Sequence, residues 1–165
     1  MTRATRGAMT DEQSRRATQI LTFVTDLENI ADIVESSAGR ARRKAVRGLK
    51  FSEAGMKDLR RLHETVLHAM HTAFDVFMSA DAEAAARLIE EKRAVGRMER
   101  AFERAHLHRL RDGLPESIET SSFHQDVLRD LKRVHSHVVA VAYAIVSPTG
   151  GRDGEETSGQ AAGAG

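Results

Sequence analysis

The sequence predicts an all-α protein, an elongated antiparallel four-helix bundle, on three observations. The chain of 165 residues carries long stretches rich in Ala, Leu, Glu and Arg, with only 2 prolines and 4% aromatic residues, a composition that favours helix and disfavours strand. Apolar residues recur at alternating steps of three and four along four windows, the period of one helix face. The breaks between windows are short, which forces consecutive helices to run antiparallel. Windows of about 28 to 36 residues correspond to rods of about 40 to 55 Å.

Residues 1–10 have no periodic pattern and read as a flexible N-terminal arm, so the helical domain is placed at 11–147. The first helix opens at Asp11, expected as its N-cap. Its stripe runs Ile20, Val24, Leu27, Ala31 and Val34. In its continuation, GRARRKAVRGLK, the stripe fades and Arg40, Arg42, Arg43, Lys44, Arg47 and Lys50 appear; cations suit a helix C-terminus, and Gly48 can end the helix there. That run is either a solvated helix end or a contact for an anion, a lipid headgroup or a partner.

Ser52 is expected to cap the second helix, whose stripe is Met56, Leu59, Leu62, Val66, Met70, Phe74 and Phe77. Ser79, Ala80 and Asp81 break the pattern, and Asp81 can cap the third helix. That helix carries a thinner stripe, Leu88, Val95, Met98, Phe102 and Leu110, and should pack on one side only. Asp112, Gly113, Leu114 and Pro115 stop it. The fourth helix begins near Ser121 or Ser122 and carries Val127, Leu131, Val134, Val138, Val141 and Ile145 before Ser147 and Pro148. The tail, 148–165, is rich in Gly, Ala and charge without a large apolar side chain and reads as disordered.

Composition also excludes functions. The chain has no cysteine, so a metal would be held by oxygen or imidazole and would be a hard or borderline cation. A formal charge of +1 argues against a surface built for nucleic acid. No apolar run approaches the roughly 20 residues needed to span a bilayer, and no signal-peptide core is present at the start. The expectation is a cytoplasmic protein with no transmembrane segment of its own. There is no GxSxG elbow and no Gly-rich phosphate loop, so no catalytic residue and no organic cofactor site is assigned. The Glu-x-x-His unit of di-metal carboxylate bundles occurs only at Glu103 and His106, half of such a site.

The chemical lead is a pair of acid pairs. Glu28 and Asp32 in DLENIAD, and Asp126 and Asp130 in DVLRD, are each spaced i,i+4, which sets two carboxylates on one strip of a helix, one turn apart. Each pair is either solvated surface or part of a divalent or trivalent metal site for Mg, Mn, Fe or Zn. Asp26 lies on a different side of its helix from Glu28. His137 shares the strip of Asp130, yet Arg133 on that strip can neutralise the acids. His63, His68 and His71 are spread along the second helix and read as polar surface.

With LENIAD, GLKFSEAGMKDL, AHLHRLRDG and FHQDVLRDLKRVHSHVVAVAY in this order, the chain resembles a PhoU-like domain, closest to the cytosolic C-terminal region of bacterial sodium/phosphate cotransporter family proteins. The resemblance implies three-helix repeats, here the last helix of one repeat followed by one complete repeat. It further implies metal binding through an E(D)xxxD motif, which Glu28 and Asp32 match. In the second copy Lys132 and Ser136 stand where the acids belong, so Asp126 and Asp130, one turn earlier, would have to serve. The function implied is a non-enzymatic, metal-binding regulatory module of phosphate uptake that docks on a membrane phosphate transport protein at the inner face of the membrane. A metal-free scaffold or homo-oligomerisation module is the alternative, and a di-metal enzyme the remotest one.

Overall fold

A computed structural model describes residues 10–146. Its helices are α1 (Asp11–Val46), α2 (Glu53–Ser79), α3 (Ala82–Arg111), the short α4 (Pro115–Glu119) and α5 (Ser121–Val146), with no strand among the described residues. The N-terminal arm, apart from Thr10, and the C-terminal tail lie outside the described residues.

Local chemistry sets the ends. The cap of α1 is Thr10 rather than Asp11: its hydroxyl accepts from the Gln13 amide at 3.2 Å while the Gln13 side chain accepts from the Thr10 amide at 2.9 Å, a reciprocal capping box. Asp11 instead adds negative charge to the first turn, where the helix dipole favours it. Gly48 leaves α1 in the left-handed region at φ 68°, as a helix terminator should. Ser52 caps α2, and Asp81 caps α3 by accepting from the Glu83 and Ala84 amides. Those amide bonds, Ala84 foremost, hold the Asp81 carboxyl below the usual carboxylate range. Pro115 does more than stop α3. It occupies the first turn of α4, where the missing N–H is no loss, and so starts a short helix that delivers Ser117 to the interior.

The four long helices alternate in direction. Gln19 donates to the Ala144 carbonyl and His137 meets Asp26, so α1 and α5 are antiparallel. Arg109 reaches Asp58 between α3 and α2, and Lys132 reaches Glu99 between α5 and α3. Helix α5 is central and packs on α1, α2 and α3, while α2 and α3 also pack on each other. The core lies at this α2, α3, α5 seam, where Leu62, Leu88, Leu128 and Val139 are fully buried. Each such aliphatic side chain contributes about 1.5–3 kcal/mol by leaving water. Ala69, Ala73, Ala85 and Ala142 are also buried in the core, small enough to let the helices approach closely.

Helix α1 corrects one expectation. Its inward side is formed by Phe23, which stacks on Phe77 of α2, and by Asp26, Ile30 and Ile33, not by the stripe from Ile20 to Val34; of that stripe, Ile20, Val24, Ala31 and Val34 are exposed and Leu27 is half-buried. The physical reason is pairing across the α1 and α5 contact. Polar groups on the buried side, Gln19, Asp26, Ser37 and Arg40, all find partners on α5, and a paired polar group can be buried where an unpaired one cannot.

Candidate functional site

The two acid pairs occupy different environments. At 100° per residue, Glu28 and Asp32 fall on the side of α1 turned away from α5. Both are exposed, and neither has a hydrogen-bond or ion-pair partner among the described residues. Asp126 is half-buried and bonded to Arg129. Asp130 is buried: its Oδ2 accepts from Ser37 Oγ at 2.6 Å and from Arg40, while Arg133 lies 3.7 Å from Oδ1. The structure therefore does not join the two pairs into one centre. Among the described residues no group of three His, Asp or Glu side chains is placed to hold a metal ion.

For a cation, the donor chemistry of the pairs differs. Glu28 and Asp32 present two free carboxylates with open coordination positions, which fits a hard or intermediate ion. Around Asp130, guanidinium groups already supply the positive charge a metal would bring.

Polar residues that periodicity passed over line the interface. Asp26, two residues before Glu28, is buried and accepts from His137 Nδ1 at 2.9 Å, so His137 serves a contact between helices rather than the Asp130 strip. Glu99 is buried and meets Lys132 Nζ at 2.5 Å. At the α4 end, the rings of His106 and His124 stack with centroids 4.4 Å apart. His106 Nε2 lies 2.9 Å from Ser121 Oγ, whereas both ring nitrogens of His124 lack a hydrogen-bond partner among the described residues. Burial first, then His106 and Arg109, pushes His124 down to about 4. Burial, with Lys92 second, does the same to His135, also to about 4. His106 is likewise lowered, by burial and then Arg109, against the opposing pull of Asp58. The signal available in sequence was phase: Glu99 and His106 continue the Val95, Phe102 spacing of α3. His63, His68 and His71 are exposed on α2, as their sequence surroundings suggest.

The α1–α2 end carries a third feature, positive charge. One open depression is lined by Lys44, Lys50, Lys57, Arg60 and Arg61, and a second by Arg40, Arg43, Lys44 and Arg47, the two meeting at Lys44 and Leu49. Lys44 itself is fixed, donating to the Leu49 carbonyl at 2.7 Å with its ammonium 3.9 Å from the Phe51 ring centre. Burial lowers its pKa.

The family model described as "PhoU domain" matches residues 59–145, from within α2 through almost all of α5. The chain belongs to the PhoU domain family. Helix α1, with Glu28 and Asp32, precedes the matched stretch of this PhoU-family chain. Among curated proteins it is 35% identical over 136 residues to YjbB of Salmonella typhimurium, a protein named for inorganic phosphate export, covering 82% of this chain and 25% of that one. It is 34% identical over 139 residues to YjbB of Escherichia coli K12, covering 84% and 26%. It is 29% identical over 126 residues to a Thermotoga maritima protein named as a PhoU homolog and phosphate transport accessory protein, covering 76% and 53%. The chain thus spans about a quarter of the length of the export proteins and about half of the Thermotoga protein. No solved structure matches it. Among the described residues no helix is long and apolar enough to cross a membrane.

Proposed function

We propose that this chain is a non-enzymatic, regulatory or accessory module of phosphate transport that binds a metal ion through Glu28 and Asp32 and docks on a membrane transport protein. The observation that carries the metal reading is the state of that pair: two carboxylates one turn apart, exposed and without a cationic partner among the described residues. Asp126 and Asp130 rank behind them as ligands, because Arg129 and Arg40 already neutralise them. Family membership and the names of the relatives support the phosphate connection. The resemblance to the sodium/phosphate cotransporter branch supports a cytoplasmic position at the inner face of the membrane.

Self-association belongs to the same reading. Helix α1 packs mainly on α5 and leaves Ile20, Leu21, Val24 and Val34 in water, an apolar strip of the kind that marks an interaction surface.

A melting experiment separates this proposal from a metal-free scaffold. A ligand that binds only the folded state raises its stability, so protein purified without chelator should melt at a lower temperature after EDTA treatment and recover when Mn, Fe, Zn or Mg is returned. Melting indifferent to chelator and to added metal assigns the chain to the scaffold reading.

A further inference from the structure

We propose that the α1–α2 end of the bundle is a docking surface for a bilayer containing anionic lipid. Arg43, Arg47, Lys50, Lys57, Arg60 and Arg61 are all exposed there, and none has an ion-pair partner among the described residues. The acids lining the same two depressions are Glu53, Glu64, Glu119 and Asp126, and Asp126 is already paired with Arg129. In a chain of net charge +1, this end is strongly positive against the remainder. The cations do not converge on one point. They spread over two shallow depressions on either side of Lys44 and Leu49, a poor cradle for one small anion and a good match to a plane of headgroups. Outside both depressions, in the last turn of α1 beside Arg43 and Arg47, Val46 is 83% exposed, the most exposed large apolar side chain of the described residues. An apolar tip flanked by cations can enter the headgroup layer while the cations stay at the phosphates.

This goes beyond the protein partner proposed above and does not rest on metal binding. Vesicles contain neither a transporter nor the metal, so a failure here leaves that reading untouched.

The experiment is co-sedimentation of the full chain with phosphatidylcholine vesicles and with mixed phosphatidylcholine and phosphatidylglycerol vesicles. Binding is expected only to the mixed vesicles, and it should fall as salt shortens the range of the charges. Each Lys or Arg at an anionic surface contributes about fivefold, roughly 1 kcal/mol. Arg43→Ala with Arg47→Ala and Lys50→Ala should therefore weaken binding about a hundredfold. The pair Arg93→Ala and Arg97→Ala, exposed on α3, should change it by no more than about twofold. Circular dichroism checks the fold of each variant; if the triple variant unfolds, the single variants carry the same test at about fivefold each. No binding to mixed vesicles at low salt overturns the proposal, and so does equal loss in both sets of variants. Displacement by inorganic phosphate at constant ionic strength would reveal a small-anion site instead. Retention of duplex DNA as tight as that of vesicles would reveal a nucleic-acid surface, and either result overturns the lipid assignment.

Discussion

Asp130 on α5 is held by Arg40 on α1, with Ser37 donating to the same carboxylate oxygen at 2.6 Å. The contact ties the basic half of α1 to the central helix and sets a cation of the protein against the Asp130 carboxylate. Removing one partner of a buried ion pair leaves an uncompensated charge, which is the expensive outcome. Arg40→Ala should therefore destabilise the fold by about 2 kcal/mol in urea unfolding, the loss being limited because Ser37 and Arg133 remain. Adding Asp130→Asn should recover much of that loss, since the stranded charge is gone. A single variant as stable as the parent would show that the pair contributes nothing.

The buried histidines predict acid sensitivity. His124 and His135 are held near 4 by burial, below the unfolded value of about 6.5. The unfolded chain therefore binds more protons, and stability falls as pH drops from about 6.5 toward 4, by up to about 3 kcal/mol per histidine. Melting temperature between pH 7 and pH 5 checks the sign. His135→Gln, which cannot take up the proton, should flatten the slope. A melting temperature that rises on acidification would contradict the assignment.

Three aliphatic positions separate core from surface. Leu128 is 1% exposed on the central helix, and Leu128→Ala should cost about 2–5 kcal/mol. Val34 is 54% exposed, and Val34→Ser with Val24→Ser should leave stability within about 0.5 kcal/mol. The same serine pair should shift sedimentation velocity toward monomer if the α1 strip mediates self-association; an unchanged distribution would remove the strip from that role.

The bundle was legible where the signals were local. Ser52 and Asp81 cap the helices they were expected to cap, and the Leu59, Leu62, Val66 run is buried as its spacing demands. Hydrophobic spacing failed on α1, because buried Asp26 and half-buried Ser37 and Arg40 face inward to partners on α5 that a single helix cannot reveal. Spacing also passed over His124 and His135, which are buried on a helix packed against α1, α2 and α3. Pro115 was read as an ending because proline stops one helix and starts another by the same lack of an N–H. For the acid pairs, spacing alone made them equivalent. Their neighbours made them different, with Glu28 and Asp32 in water and Asp130 under Arg40.

The most direct test of the account is metal content, measured by mass spectrometry on protein purified without chelator, for the parent chain and for Glu28→Ala and Asp32→Ala. Both positions are exposed, so the variants should fold and melt like the apo parent. The account predicts metal in the parent and a marked loss in each variant. Equal metal content in all three proteins would contradict it.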